Sequence, residues 1–202
     1  MPRPARYAKG LAKREEILTT ALEVIARTGY RGTSVRELAN AVGLSQAGLL
    51  HHFSSKEELF AEILAKRDAV NEEAYSDRGE SALDGLISVV RHNSDVAGLV
   101  QLYAQFSIEA CDPGHPSHDI FVERYSRVRA TLSADIAARQ EAGTLPAGID
   151  PAVAASLLIA AADGLQTQWL LDREVDMAAH LTSLVSLLAP APAPAPRPAP
   201  AG

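Results

Sequence analysis

The chain is poor in cysteine, in aromatic residues and in long apolar runs. Its 202 residues include one cysteine, Cys111, and aromatic side chains make up only 5% of the total. A single cysteine excludes an internal disulfide framework and favours a reducing cytoplasm. No segment approaches the roughly 18 uncharged apolar residues that a membrane span needs. The charges of Met1–Arg6 precede no apolar stretch, so we expect no signal peptide.

Catalytic and metal-binding motifs are missing as well. No nucleophile–base set, paired acid or phosphate-binding glycine loop has motif-level spacing, so the sequence predicts neither an enzyme nor a cofactor. His115 and His118 lie three residues apart, close to Cys111. However, His115 falls in a proline–glycine loop before a helix starts, which favours a solvated loop over a metal site.

Charge is abundant but unevenly distributed along the chain. The net charge is −6, yet residues 1–56 carry nine Lys/Arg against four acids, a net of +5, and the remaining residues carry −11. Such polarity is typical of a protein that presents one end to a polyanion such as DNA. Chance scatter of charge is the alternative interpretation.

Apolar residues recur at helical spacing and no strand alternation is visible, which predicts an all-α fold of about nine helices. Ser34, Ser45, Ser55 and Asp150 are predicted N-caps, and Pro151 is a favoured first helical residue. The predicted helices span residues 9–28, 34–42, 46–53, 56 onward, 81–92, 95–111, 117–142, 151–171 and 175–189. We expect three segments: an N-terminal arm and helix-turn-helix (1–54), a larger helical domain (55–189) and a disordered Pro/Ala tail (190–202).

Two short helices joined at Gly43, Thr33–Val42 and Ser45–Phe53, have the sequence form of a helix-turn-helix. At 100° per residue, one face of the second helix collects Gln46, Ala47, Leu50 and His51. Such a face is narrow enough to enter the major groove of DNA.

The predicted DNA contacts follow from side-chain chemistry. Gln46 can pair with an adenine edge, Ala47 and Leu50 can contact thymine methyl groups, and His51 can reach a phosphate. The remaining predicted contacts are phosphate or backbone contacts near helix starts, with a guanine as a further option for Arg36. They are Thr33, Ser34, Arg36, His52 and Lys56, of which His52 is predicted either to pack or to contact phosphate.

Residues 15–64 resemble the TetR family of transcriptional repressors. The resemblance is carried by Glu16-Ile17-Leu18, Gly29-Tyr30, Thr33-Ser34-Val35, Val42-Gly43-Leu44-Ser45, His52-Phe53 and Lys56-Glu57-Glu58-Leu59. One departure is Leu50, where the family usually has tyrosine. The resemblance implies a repressor released from operator DNA by a small molecule. The alternative is a helical small-molecule-binding protein with weak or lost DNA binding, suggested by Leu50 and the acidic total.

The resemblance also implies a homodimer built by residues 151–171 and 175–189, and an effector pocket among the middle helices. The expected dimer residues are Leu157, Leu165, Leu181, Leu184, Val185 and Leu188. The expected pocket residues are His92, Leu99, Tyr103, Phe106, Tyr125, Gln166 and Trp169, for each of which plain core packing is the alternative.

Overall fold

A computed structural model describes residues 4–30 and 33–188, and within these ranges the chain forms nine α-helices and no strand. The predicted all-α class is confirmed. The predicted disordered tail, residues 190–202, lies outside the described residues. The helices are α1 (Pro4–Thr28), α2 (Val35–Ala41), α3 (Gln46–Leu50), α4 (Lys56–Asp77), α5 (Ala82–Asn93), α6 (Ala97–Glu109), α7 (His118–Glu141), α8 (Pro151–Leu171) and α9 (Met177–Leu187).

Side-chain caps mark the starts of α2 to α5, α8 and α9. The Ser34 hydroxyl accepts a hydrogen bond from the Glu37 N–H (3.2 Å), while the Glu37 carboxylate accepts one from the Ser34 N–H (2.6 Å), so the predicted capping box is present. The Asp150 carboxylate accepts hydrogen bonds from the second and third N–H groups of α8. These caps explain why α2 and α8 begin where the sequence predicted, because each satisfies otherwise unpaired backbone N–H groups.

The helix α3 ends at Leu50, three residues earlier than the sequence predicted. Phe53 is buried (2% exposed), as is Leu49, whereas Gln46 is exposed. A continued helix would place Phe53 on the same face as Gln46, since seven residues complete almost two turns. Ending the helix at Leu50 allows both Leu49 and Phe53 to point inward. Core burial therefore sets the length of this helix.

The first hydrophobic core joins the helix-turn-helix to the middle of the chain. It contains residues of α1, α2 and α3 together with α4 and α6, so the segments divided at residue 54 share one core. The closest approach is at Gly98 in α6, where an added Cβ would lie 2.2 Å from the Ile25 carbonyl oxygen of α1. Only glycine permits this crossing, because any side chain would push the two helices apart.

A second hydrophobic core lies among α5, α7, α8 and α9, and Tyr125 packs against both cores. Leu158, Met177 and Leu181 of this core are fully buried. Among the described residues, no helix has the length and apolar character needed to cross a bilayer.

A buried ion-pair cluster links α4 to α7. The carboxylate of Asp68 accepts hydrogen bonds from the guanidinium groups of both Arg67 and Arg124. Burial alone would raise the pKa of the Asp68 carboxyl, but the two neighbouring cations outweigh it and hold the pKa at about 2. Asp68 is therefore an anion at neutral pH, bound to two cations.

Two tyrosines extend this cluster to α6 and α8. The hydroxyls of Tyr103 and Tyr125 donate to the two oxygens of Asp163, at 2.9 and 2.7 Å, and the Arg124 guanidinium donates to the Tyr103 hydroxyl at 3.2 Å. Burial raises the pKa of Tyr125 to about 12 and also raises the pKa of Tyr103, so both hydroxyls keep their protons. Four helices thus meet at one connected set of polar contacts, which we call the Asp68 cluster.

Replacing Asp68 by asparagine tests how much the Asp68 cluster contributes to the stability of the fold. We expect Asp68→Asn to lower the free energy of unfolding at pH 7 by about 3–5 kcal/mol, because two largely buried guanidinium groups lose their anion. Stability from Asp68 is present above its ordinary pKa of 3.8 and is lost as the pH falls towards 2. Between pH 3.8 and 2, the unfolding free energy of the wild type should therefore fall by on the order of 2 kcal/mol more than that of the variant. Urea denaturation at several pH values measures both effects.

Asp77→Asn is the matched control, since Asp77 is exposed near the end of the same helix. It should change the unfolding free energy by less than about 0.5 kcal/mol. Equal effects of the two substitutions would mean that the Asp68 cluster contributes no more than a surface carboxylate.

Candidate nucleic-acid interface

The recognition helix α3 presents the predicted face to solvent. Gln46, Ala47 and His51 are exposed, whereas Leu49 is buried in the first core. The Ser45 hydroxyl caps the helix by accepting a hydrogen bond from the Gly48 N–H at 3.0 Å. The first turn, from which side chains reach base edges, is thus fixed and open to solvent.

Leu50 and His52 occupy intermediate positions. Leu50 is half-buried and packs against the first core, so only part of its side chain is available to a thymine methyl group. His52 is also half-buried, and its ring lies 6.0 Å from that of His51 in an edge-to-face arrangement. Both residues support the helix as well as bordering its exposed face.

Thr33, which lies just before α2, is not placed to make its predicted phosphate contact. Thr33 is 6% exposed, and its hydroxyl donates to the Gly29 carbonyl at 2.6 Å and lies 2.7 Å from the Thr28 hydroxyl. Its side chain therefore holds the turn between α1 and α2 and does not face solvent. Ser34, by contrast, is exposed, although its hydroxyl caps α2.

Two cations flank the recognition helix without an ion-pair partner among the described residues. Arg36 on α2 and Lys56 at the start of α4 are both exposed, as predicted for phosphate contacts. Other charges of the basic segment are used internally: Lys13 pairs with Glu16, and Arg14 pairs with acids of α4. The positions of Arg3 and Arg31 lie outside the described residues.

Arg14 is a residue that sequence reasoning missed. From α1 its guanidinium donates to the carboxylates of Glu58 and Glu62 on α4 and to the carbonyl oxygen of His52, just after α3. Its guanidinium carbon also lies 4.3 Å from the ring centre of Phe53. One side chain thus ties the end of the recognition helix to both neighbouring helices.

Glu58, one of the two acids beside Arg14, keeps its charge to low pH. Hydrogen bonds from the Ser54 hydroxyl and from Arg14 lower the pKa of Glu58 to about 2. The hydrogen bond to Glu62 in turn raises the pKa of Arg14. The sequence signal was limited to two glutamates spaced four apart on α4, since the partner lies more than 40 residues away.

The predicted effector residues do not meet around one cavity. Leu99 and Phe106 are buried in the first core, and Trp169 is buried in the second, with the Arg173 guanidinium carbon 3.7 Å from its ring centre. His92 is exposed near the end of α5. For Leu99, Phe106 and Trp169, the alternative interpretation, plain core packing, describes what the structure shows.

Polar members of the predicted set are also engaged internally. Tyr103 and Tyr125 meet at Asp163, and the Gln166 side-chain oxygen accepts a hydrogen bond from the buried Asn93 amide at 3.3 Å. An open groove lies elsewhere, between α4, α5 and α7, with a cavity volume of about 110 Å³. None of the seven predicted effector residues lines this groove.

The predicted dimer residues divide between the surface and the protein's own core. Leu157 is 57% exposed, whereas Leu165, Leu184, Val185 and Leu188 are half-buried. Leu181 is fully buried in the second core, so it cannot contact a partner, and this part of the prediction is corrected. The periodicity of α9 indicated an apolar stripe but not which side of it faced inward.

An exposed stripe runs along α8 at spacings of three and four residues. Its members are exposed, mostly small or apolar, and lie at one-turn intervals. They are Val153, Leu157, Ala160, Gly164, Gln168 and Leu171. Small residues at the centre allow another helix to approach closely.

Comparison with known proteins identifies the class first. Residues 17–63 match the family described as bacterial regulatory proteins, tetR family, and residues 117–189 match the C-terminal domain of BetI-type transcriptional repressors. Both matched regions are typical of helix-turn-helix transcriptional regulators with a helical C-terminal domain. The chain belongs to the TetR family.

Individual relatives agree with this family. The transcriptional repressor AcnR of Corynebacterium diphtheriae is 40% identical over 79 residues, which cover 39% of this chain and 38% of AcnR. The chain therefore spans about two fifths of the length of the curated relatives it matches.

Solved structures share the whole fold. A Saccharomonospora viridis protein crystallised with choline is 26% identical, with a TM-score of 0.66 over 86% of this chain and 95% of that one. FadR of Bacillus subtilis, crystallised with stearoyl-CoA, is 22% identical, with a TM-score of 0.61 over 87% of this chain and 97% of FadR.

Replacing Arg14 by methionine tests whether it holds the recognition helix. The methionine keeps an apolar stem over Phe53 but removes the guanidinium, so the His52 carbonyl and the Glu62 carboxylate lose this donor and Glu58 keeps only Ser54. We expect amide exchange in residues 46–55 to accelerate by about 10-fold or more, since losing such charged hydrogen bonds costs about 1.5–3 kcal/mol. Hydrogen-exchange mass spectrometry measures this change.

Lys13→Met provides the control. Lys13 has a similar exposure, pairs with Glu16 three residues away and donates only a long hydrogen bond (3.4 Å) to the Val42 carbonyl oxygen, so its loss should change exchange in residues 46–55 by less than about threefold. Unchanged exchange in Arg14→Met would show that core packing alone positions α3.

Proposed function

We propose that the chain is a homodimeric transcriptional repressor that binds operator DNA through α2 and α3 and is released by a small molecule. The observation that carries the proposal is the solvent-facing surface of Gln46, Ala47 and His51 on a capped, firmly anchored helix. This surface has the size and chemistry that major-groove recognition requires. The role is non-catalytic, and its site of action is the bacterial cytoplasm, where the chromosome lies.

The relatives support both halves of the proposal. AcnR is named as a transcriptional repressor, and the tetR family match over residues 17–63 includes α2 and α3. The S. viridis protein and FadR were solved with choline and with stearoyl-CoA, so this fold accommodates small molecules of opposite charge. We therefore propose an effector site in the C-terminal domain.

The exposed α8 stripe supports a homodimer. Leu157 and Leu171 of the stripe are 57% and 86% exposed, and Leu187 of α9 is 81% exposed. An apolar surface of this length is stabilised by a second copy of itself, as in other symmetric helical dimers. The dimer would carry two recognition helices, which suits successive major grooves on one face of a duplex.

Two substitutions distinguish contacts with the bases from contacts with the phosphates. Gln46→Ala should weaken binding to the specific operator by about 1–3 kcal/mol per half-site while leaving binding to random DNA nearly unchanged. Lys56→Ala should weaken binding to all sequences and reduce the salt slope by about one unit per half-site. Fluorescence anisotropy with DNA flanking the gene, at several salt concentrations, measures both.

The variants must remain folded and dimeric for this comparison. If Gln46→Ala weakened specific and random binding equally, Gln46 would only position the helix. Absence of DNA binding by the wild type at low salt would favour the alternative, a helical small-molecule-binding protein that has lost DNA binding.

The dimer is tested by placing charge on the stripe. Leu157→Glu should weaken dimerisation by about 3 kcal/mol, or about 100-fold, because each subunit would bury an unpaired carboxylate. Operator affinity should fall with it. Val122→Glu is the matched control, since Val122 on α7 is 54% exposed against 57% for Leu157. If sedimentation equilibrium shows that Leu157→Glu is still a dimer, the interface lies on another surface.

A further inference from the structure

The turn and the recognition helix carry no formal charge. Glu37 in α2 and Lys56 at the start of α4 are consecutive charged residues, so residues 38–55 contain no Asp, Glu, Lys or Arg. The commonest specific base contact is made by Arg or Lys to guanine, and acids accept hydrogen bonds from cytosine. The side chains of α3 offer neither contact. Apart from His51 and His52, which follow it, this helix faces solvent with uncharged groups only.

The exposed face of α3 combines one amide with apolar groups. Gln46 and Ala47 are exposed, and Leu50 is half-buried, with part of its side chain packed against the first core. At about 100° per residue, Leu50 lies about 40° from Gln46 and about 60° from Ala47 around the helix axis. Leu50 and Ala47 therefore form a small apolar patch beside the Gln46 amide. The exposed His51 borders this patch.

An apolar patch at this place favours thymine over the other bases. In the major groove thymine presents a methyl group, whereas cytosine and adenine present amino groups and guanine presents acceptors only. A polar base edge placed against Leu50 would lose water without gaining a hydrogen-bond partner, and such unpaired groups are costly. Packing against the first core also limits how far Leu50 can retract. A thymine methyl group is thus the major-groove feature that suits this patch.

We propose that each operator half-site presents a thymine methyl group to the patch of Leu50 and Ala47, which makes Leu50 a residue that determines operator specificity. The inference rests on the proposed function, for which it names a base that α3 reads. Discrimination by α3 depends on apolar contact and on the Gln46 amide, while Arg36 and Lys56 supply charge to the phosphates. Leu50, the departure from the family pattern, is in this arrangement a base-reading residue and not a sign of lost DNA binding.

Removing the methyl group from the DNA tests this contact without changing the protein. The probe is the duplex that the full-length protein enriches from a random-sequence pool, with each thymine replaced in turn by deoxyuridine. We expect at least one thymine per half-site at which the replacement weakens binding by about fourfold, the effect of one buried methyl group. Fluorescence anisotropy measures the affinity of each duplex.

A methylated cytosine provides the reciprocal experiment. When the T·A pair at that position is replaced by C·G, binding should weaken because the cytosine amino group meets an apolar patch. A 5-methylcytosine·guanine pair should then bind about two- to fourfold more tightly than the unmethylated pair, since it restores the methyl group. Equal binding of the two C·G duplexes would contradict a contact with the methyl group.

Leu50→Ala assigns the contact to this side chain. The variant should reduce the preference for thymine over deoxyuridine from about fourfold to less than about twofold. Leu44→Ala is the matched control, because Leu44 is also half-buried against the first core but precedes the Ser45 cap of α3. It should keep the wild-type preference, even where lost packing lowers the overall affinity. If both variants keep or both lose the preference, Leu50 does not read the methyl group.

Leu50→Gln covers the case in which Leu50→Ala does not fold. Glutamine keeps two methylene groups against the core but ends in an amide, so the preference for thymine over deoxyuridine should again be lost. If no sequence is enriched from the pool, the proposed function fails together with this inference. If a sequence is enriched but no deoxyuridine replacement weakens binding, the methyl contact alone is refuted and DNA binding stands.

Discussion

The Asp68 carboxylate is the contact on which the arrangement of the C-terminal domain depends. It holds Arg67 on its own helix and Arg124 on α7, and through Arg124 and Tyr103 it reaches Asp163 on α8. Buried ion pairs of this kind add little net stability compared with well-packed apolar side chains. They do, however, penalise every arrangement in which a charge loses its partner. The cluster therefore specifies where α4 lies more than it strengthens the fold.

A second charged contact holds the N-terminal end of α4. Arg14 joins α1 to the first two turns of α4 and to the carbonyl that follows α3. The helix α4 has 22 residues, so it is about 33 Å long, and Asp68 lies about 18 Å along it from Lys56. Arg14 and Asp68 therefore hold the same helix at two points, one beside α3 and one inside the C-terminal domain.

Contacts within a few residues were predictable from the sequence, and contacts between distant segments were not. The Ser34–Glu37 box and the Asp150 cap follow from local chemistry, and they appear as predicted. The exposed face of α3 follows from its helical period. Arg14 and the Asp68 cluster join residues 21 to 60 positions apart, and no pattern in one sequence indicates such pairs. Leu181 shows the same limit, because periodicity defines an apolar stripe without naming what covers it.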